Sequence, residues 1–158
     1  MAIETQRPPY EAYAALVGIF FGGLAGTGLV AHALKRDPRE HTALDLVTLA
    51  AASFKAARTL SHDEVTSFLR EPFVRGHAHE GGEEPVSGGT RQAIGELLTC
   101  SRCVGTWSAA GLAAAQVLAP RFGRILTWTL SAAGCNDFLQ AAFAAVTARA
   151  NQLEEQSS

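Results

Sequence analysis

Charge is scarce in this chain. Only 18% of its 158 residues are Asp, Glu, Lys or Arg, against roughly 25% in an average soluble domain, so little of its surface can be covered by ionised groups. The 13 basic and 15 acidic residues leave a formal net charge of −2. That balance lacks the basic excess needed to neutralise phosphates, which argues against a nucleic-acid binder, and there is no long run of one sign. Cysteine is also sparse and odd in number: three residues cannot all pair within one chain, which argues against a small secreted disulfide scaffold. The sequence contains no phosphate loop, no G-x-S-x-G elbow, no H-E-x-x-H helix and no dinucleotide fingerprint. The familiar soluble-enzyme mechanisms therefore have nothing to stand on, and an enzyme is the less favoured class.

Apolar residues make up 47% of the chain, and they are gathered into long blocks. Residues 12–34 include no Asp, Glu, Lys or Arg; as a helix this block is roughly 34 Å long, enough to cross a hydrocarbon core of about 30 Å. Within it Gly18, Gly22 and Gly26 recur every four residues, which lines them up on one helix face where a second backbone can approach closely. Ala31-His32-Ala33 resembles a cleavage site, but the block is longer than a signal-peptide core and lacks a clear positive lead-in, so the expectation is an uncleaved first helix.

Three further spans are expected. Residues 43–60 form the second, interrupted by Asp45 near one end and by Lys55 near the other, whose ammonium can snorkel to an interface. Ser61-His62-Asp63-Glu64 reads as a capping box that starts a short interfacial helix carrying Val65, Phe68 and Leu69 and ending at Pro72. Residues 75–91 are polar, glycine-rich and aperiodic, as in an extramembrane loop. The third span has a polar lead-in at residues 91–96, is continuous over residues 103–119 and stops at Pro120; the fourth runs over residues 125–147. The expected organisation is an added helix and link at 1–42, a core at 43–149 and a polar tail at 150–158. The basic residues outside the spans divide evenly between the two sides, so orientation stays open.

Two groups of residues could carry chemistry. Cys100 and Cys103 form a C-x-x-C at the start of a helix. Two thiols at that spacing share a face and can form a redox pair or half of a tetrahedral site for zinc, with His62, His77 or His79 as completing ligands; two small residues at a tight helix entry are the bland alternative. Asp137, next to Asn136, falls in the middle of the fourth span, where an ionisable group is costly. Lys55 lies at similar depth, and an ion pair between them would offset both desolvation costs; a proton or solute path is the rival reading.

Arg58-Thr59-Leu60, Asp63, Val65-Thr66-Ser67-Phe68-Leu69-Arg70 and Pro72-Phe73, followed by Glu96-Leu97-Leu98, Cys100, Cys103, Gly105 and Trp107, resemble a bacterial membrane-protein family catalogued as domain of unknown function 1360. The resemblance covers about two thirds of the chain and leaves out the glycine-striped first helix. It implies a small multi-pass membrane protein and supplies no activity. Many relatives have proline or an aromatic residue after the first cysteine, where this chain has Ser101-Arg102. The shared residues suggest a charged cluster of Arg58, Asp63, Arg70 and Glu96 at one membrane face, beside the thiols.

The sequence thus predicts an all-α bundle of four transmembrane helices with a short interfacial helix after the second, in the bacterial cytoplasmic membrane. Its partners are the lipid bilayer and a second copy or a larger membrane complex met through the glycine face. The leading function is structural or assembly-related. A metal-binding or thiol-redox protein and a small transporter or channel are the alternatives.

Overall fold

A computed structural model describes residues 8–36, 42–76 and 82–157. Four long helices dominate it: α1 (Tyr10–Ala33), α2 (Ala43–His62), α5 (Ser101–Leu118) and α6 (Pro120–Ser157). Two shorter ones, α3 (Ser67–Arg70) and α4 (Gly89–Thr99), lie between α2 and α5. The only strands among the described residues are β1 (Val74–Arg75) and β2 (Glu84–Pro85), paired antiparallel with Val74 opposite Pro85. The protein is all-α in class.

Local chemistry explains most of the helix ends. Lys35 takes a left-handed conformation (φ 52°) just past α1, and its N–H and that of Arg36 return to the carbonyls of His32 and Ala31, which satisfies the end of the helix. Thr42 and Asp45 form a reciprocal capping box at the start of α2, closing two otherwise unpaired N–H groups. Pro120 opens α6, where its missing N–H costs nothing. Three residues on, Gly123 packs against the end of α5 so tightly that a Cβ would stand 2.5 Å from backbone atoms of Ala115 and Gln116. The reversal between α5 and α6 therefore requires glycine there.

The interhelical contacts fix an alternating arrangement. Tyr13 reaches Glu96 and Phe20 packs on Trp107, while Arg36 donates to the carbonyls of Val117 and Leu118, so α1 and α5 run parallel. Ser61 meets Ser101, and a Cβ on Gly105 would stand 3.7 Å from Ala57, so α2 runs against α5. Ser131 donates to the Thr48 carbonyl and Asp137 meets Lys55, so α6 runs with α2. The short links that follow α1 and α5 therefore lie at one end of the bundle, and the longer connection through α3 and α4 lies at the other.

What fills this bundle is unusual for a water-soluble core. The buried residues of α2, α5 and α6 are small or polar, with Ala52, Ala57, Ser61, Thr127 and Ser131 among them and Val104 and Leu112 the largest apolar ones. Leu44, Leu46, Val47 and Phe54 of α2 and Phe122, Ile125, Trp128, Phe138, Leu139, Phe143 and Val146 of α6 are exposed. Helices lined with small residues approach closely, and the polar groups bond across the seam.

Several expectations are revised. Of the four expected spans, only α1 is long and apolar enough to cross a membrane by length and composition. Lys55 and Arg58 dilute α2, Arg102 and Gln116 dilute α5, and Asn136 and Asp137 interrupt α6. The short interfacial helix is a 3₁₀ turn (Glu64–Thr66), the single α-turn α3 and a second 3₁₀ turn (Glu71–Phe73). Ser61 is not its cap: it lies inside α2 and donates to the Ala57 carbonyl at 2.7 Å. The 75–91 loop carries β2 and the start of α4, and its residues 77–81 lie outside the described ones. The polar lead-in to the third span is α4, a separate helix broken from α5 at Cys100. The tail from 150 continues α6 as helix to Ser157, where nothing breaks the hydrogen-bond ladder.

Candidate functional site

The end of α2, the 63–76 turns, α4 and the start of α5 meet at one end of the bundle. Cys100 is the N-cap of α5, with its sulfur accepting from the Cys103 N–H at 3.3 Å. The two sulfurs are bonded, with their Cα atoms 5.3 Å apart, inside the usual range for a disulfide. This placement follows from the helix break: α4 ends at Thr99, Cys100 is extended, and α5 restarts at Ser101. Cys103 is exposed and lines an apolar cleft of about 470 Å³ between α1 and the α4–α5 corner, with Phe20, Phe21 and Trp107 as its aromatic wall. Cys135, the third cysteine, is free and exposed on α6.

Beside the cysteines, Ser101 Oγ lies 2.8 Å from His62 Nε2 and 3.0 Å from Ser61 Oγ. This triangle ties the last turn of α2 to the first turn of α5. In the bonded state Cys100 and Cys103 have no thiolate to offer zinc, and no cluster of three or more His, Cys, Asp or Glu suited to a metal occurs among the described residues. His77 and His79 lie outside the described residues.

The four-residue charged cluster expected here does not form as one network. Arg70 is fully buried, and its partner is Glu83, with Nε to Oε2 at 2.5 Å and a second bond to Oε1 at 3.1 Å. The remaining guanidinium hydrogens go to the Leu60 carbonyl at 2.8 Å, the Asp63 carbonyl at 3.2 Å and Thr66 Oγ1 at 2.9 Å. Arg70 is thus the peg on which the turn after α2 is wound, and a fork of fixed donors suits it better than a point charge would. Asp63 contributes its backbone rather than its carboxylate. Glu96 instead accepts from the Tyr13 hydroxyl of α1 and from Gln92 at 2.9 Å. Arg58 points into a separate groove with Arg102. The sequence offered no reason to choose Glu83, which sits in a glycine-rich segment without periodicity.

Lys55 Nζ lies 2.8 Å from Asp137 Oδ2. The pair sits where α2 and α6 come closest: a Cβ on Gly134 would stand 3.2 Å from the Ala51 carbonyl oxygen, and Phe54 stacks on Phe138 alongside. Asn136, one residue away, is exposed. The glycine stripe expected to meet a second copy or a larger complex has no partner within the chain among the described residues. Gly18, Gly22 and Gly26 have nothing within 4 Å of where a Cβ would stand, because α1 uses its other face, with Tyr13 and Phe20, against α4 and α5.

Residues 48–143 match the family described as Protein of unknown function (DUF1360), and the chain belongs to that family. It is 35% identical over 103 residues to sporulation protein YjcA of Bacillus subtilis, covering 58% of this chain and 83% of that protein. It is 28% identical over 107 residues to the UPF0713 protein YngL of the same organism, covering 63% of this chain and 78% of that one. No solved structure matches the chain. The matched region begins within α2 and ends within α6, so α1 lies outside it.

Replacing Arg70 with Met leaves Glu83 and three backbone or hydroxyl acceptors without their donor, and is expected to cost about 3–5 kcal/mol of stability. Arg70→Lys is expected to recover little of this, because an ammonium cannot span both Glu83 and the Leu60 carbonyl. Chemical unfolding of the purified variants checks both. A loss below about 1 kcal/mol in Arg70→Met, the size of an exposed ion pair, would contradict the role given to this residue.

Proposed function

We propose that this DUF1360 family member is a multi-span protein of the bacterial cytoplasmic membrane, with α1, α2, α5 and α6 as its spans and a structural or assembly role. The observation that carries the reading is the inverted distribution of side chains: small and polar residues in the helix seams, large apolar ones outside. In water that arrangement forfeits the main driving force of folding. In lipid it is the expected one, since helices there associate through close packing and interhelical hydrogen bonds. The accessible surface of 11470 Å² is about one and a half times that of a compact soluble protein of this mass, and much of it is apolar side chain that a bilayer would cover.

The charges within the helices fit the same reading. Lys55 and Asp137 neutralise each other, which supports a structural pair rather than a transport path. The 1–42 segment then acts as an added helix on the 43–149 core, and its unused Gly18, Gly22 and Gly26 face is where a second copy or a partner helix would pack. YjcA is named a sporulation protein, and a cellular assembly role for this chain agrees with that name better than a metabolic one does.

The bonded C-x-x-C supports a second reading, a thiol-disulfide function at the start of α5. A cysteine at a helix N-cap has its thiolate form favoured by the N–H groups and the helix dipole, and Cys103 is open to a partner thiol.

Trp128 is exposed on α6 and provides a direct test in the full chain. With Trp107→Phe removing the other tryptophan, lipids brominated in their acyl chains are expected to quench Trp128 fluorescence strongly; emission unchanged from that in unbrominated lipid would overturn the multi-span reading. For the second reading, alkylation followed by mass measurement is expected to modify Cys135 alone before reduction and all three cysteines after mild reduction. Three reactive thiols without reductant would overturn it.

A further inference from the structure

Arg58 was expected to join a charged network; instead it lines, with Arg102, a groove of about 300 Å³ between α2 and α5. Neither has an ion-pair or hydrogen-bond partner on its side chain among the described residues. Ser53 and Ser101 also line the groove, their hydroxyls held by the Ala50 carbonyl and by Ser61 and His62, and its remaining wall includes Ala50 and Phe54. One turn earlier in α2, Lys55 is neutralised by Asp137 and adds no free charge beside the groove. The amino terminus of α5, which carries Arg102, adds the positive end of a helix dipole.

Two unpaired guanidinium groups at the mouth of one groove suit a phosphate, which accepts several charge-assisted hydrogen bonds at once. The apolar part of the groove, continued by Phe54 onto the exposed face of α2, suits a hydrocarbon chain attached to that phosphate. We propose that the groove binds the phosphate headgroup of an anionic phospholipid, with an acyl chain laid along Phe54. The lipid would bridge α2 and α5 at the same end of the bundle as the C-x-x-C and fix how deeply the bundle sits in the bilayer. The proposal rests on the multi-span reading above.

The test uses the full chain in nanodiscs of phosphatidylcholine containing a minor fraction of phosphatidylglycerol, with retained lipid measured by native mass spectrometry. Wild type is expected to retain phosphatidylglycerol in preference to phosphatidylcholine. Arg58→Gln/Arg102→Gln is expected to lose about tenfold of that retention, the size of effect that losing charge-assisted bonds produces. Arg121→Gln/Arg149→Gln, which alters the same net charge elsewhere, is expected to change nothing. Equal retention of the two lipids, or equal loss in both double variants, would overturn the site. Thermal stabilisation by inorganic phosphate alone, matched by no selective lipid retention, would assign the arginines to a free anion and overturn the lipid assignment. If the wild-type chain fails to float with vesicles of either lipid, the multi-span reading falls and takes the lipid site with it. Flotation without selective retention removes the lipid site alone.

Discussion

The close approach of α2 to α5 and α6 through small side chains is the constraint on which the rest of the structure depends. Ala57 against Gly105 and Ala51 against Gly134 bring the backbones together, and only at that separation can Ser131 reach the Thr48 carbonyl and Lys55 reach Asp137. A larger residue at Gly134 would push the Ala51 carbonyl away and part the ion pair with it. The cost would be a separated ion pair as well as lost packing. Such a seam draws its strength from many short contacts and a few polar bonds, not from the burial of bulky apolar groups.

The same seam positions the chemistry at the end of the bundle. Because α2 and α5 run antiparallel, the last turn of one meets the first turn of the other, and Ser61, His62 and Ser101 join them. Arg70 then winds the following turn back onto the Leu60 and Asp63 carbonyls and draws Glu83 in from the far side of the hairpin. The break at Cys100 leaves the C-x-x-C at the exposed start of α5, and α1 packs beside it, with Tyr13 on Glu96 and Phe20 on Trp107. Its glycine face remains turned away from the chain's own helices.

Much of this was legible in the sequence, and the exceptions have physical causes. Long apolar blocks marked α1, α2, α5 and α6, and equal depth along two helices pointed to Lys55 and Asp137 as neighbours. The break at Cys100 was hidden because neither proline nor glycine marks it. Ser61-His62-Asp63-Glu64 carries a capping signature, yet the helix that already contains Ser61 continues, since its hydroxyl is satisfied within α2. The box that forms, Thr42 with Asp45 at the start of α2, carries a comparable pattern. Glu83 could not be singled out, because the partner of a buried arginine is fixed by the fold of a loop that has no period to read. Glycine spacing indicated a packing face on α1 but could not say whether its partner lies within the chain.

On the proposed multi-span reading, the α2, α5 and α6 core is itself built for lipid and does not borrow its place in the membrane from α1. Expressing residues 37–158, washing the membranes at alkaline pH and floating them on a density gradient tests this most directly. The account predicts that the fragment, although it lacks the one helix that is long and apolar enough to cross a membrane by composition alone, floats with the lipid. Release into the alkaline wash would contradict it and reduce the membrane attachment to a single helix.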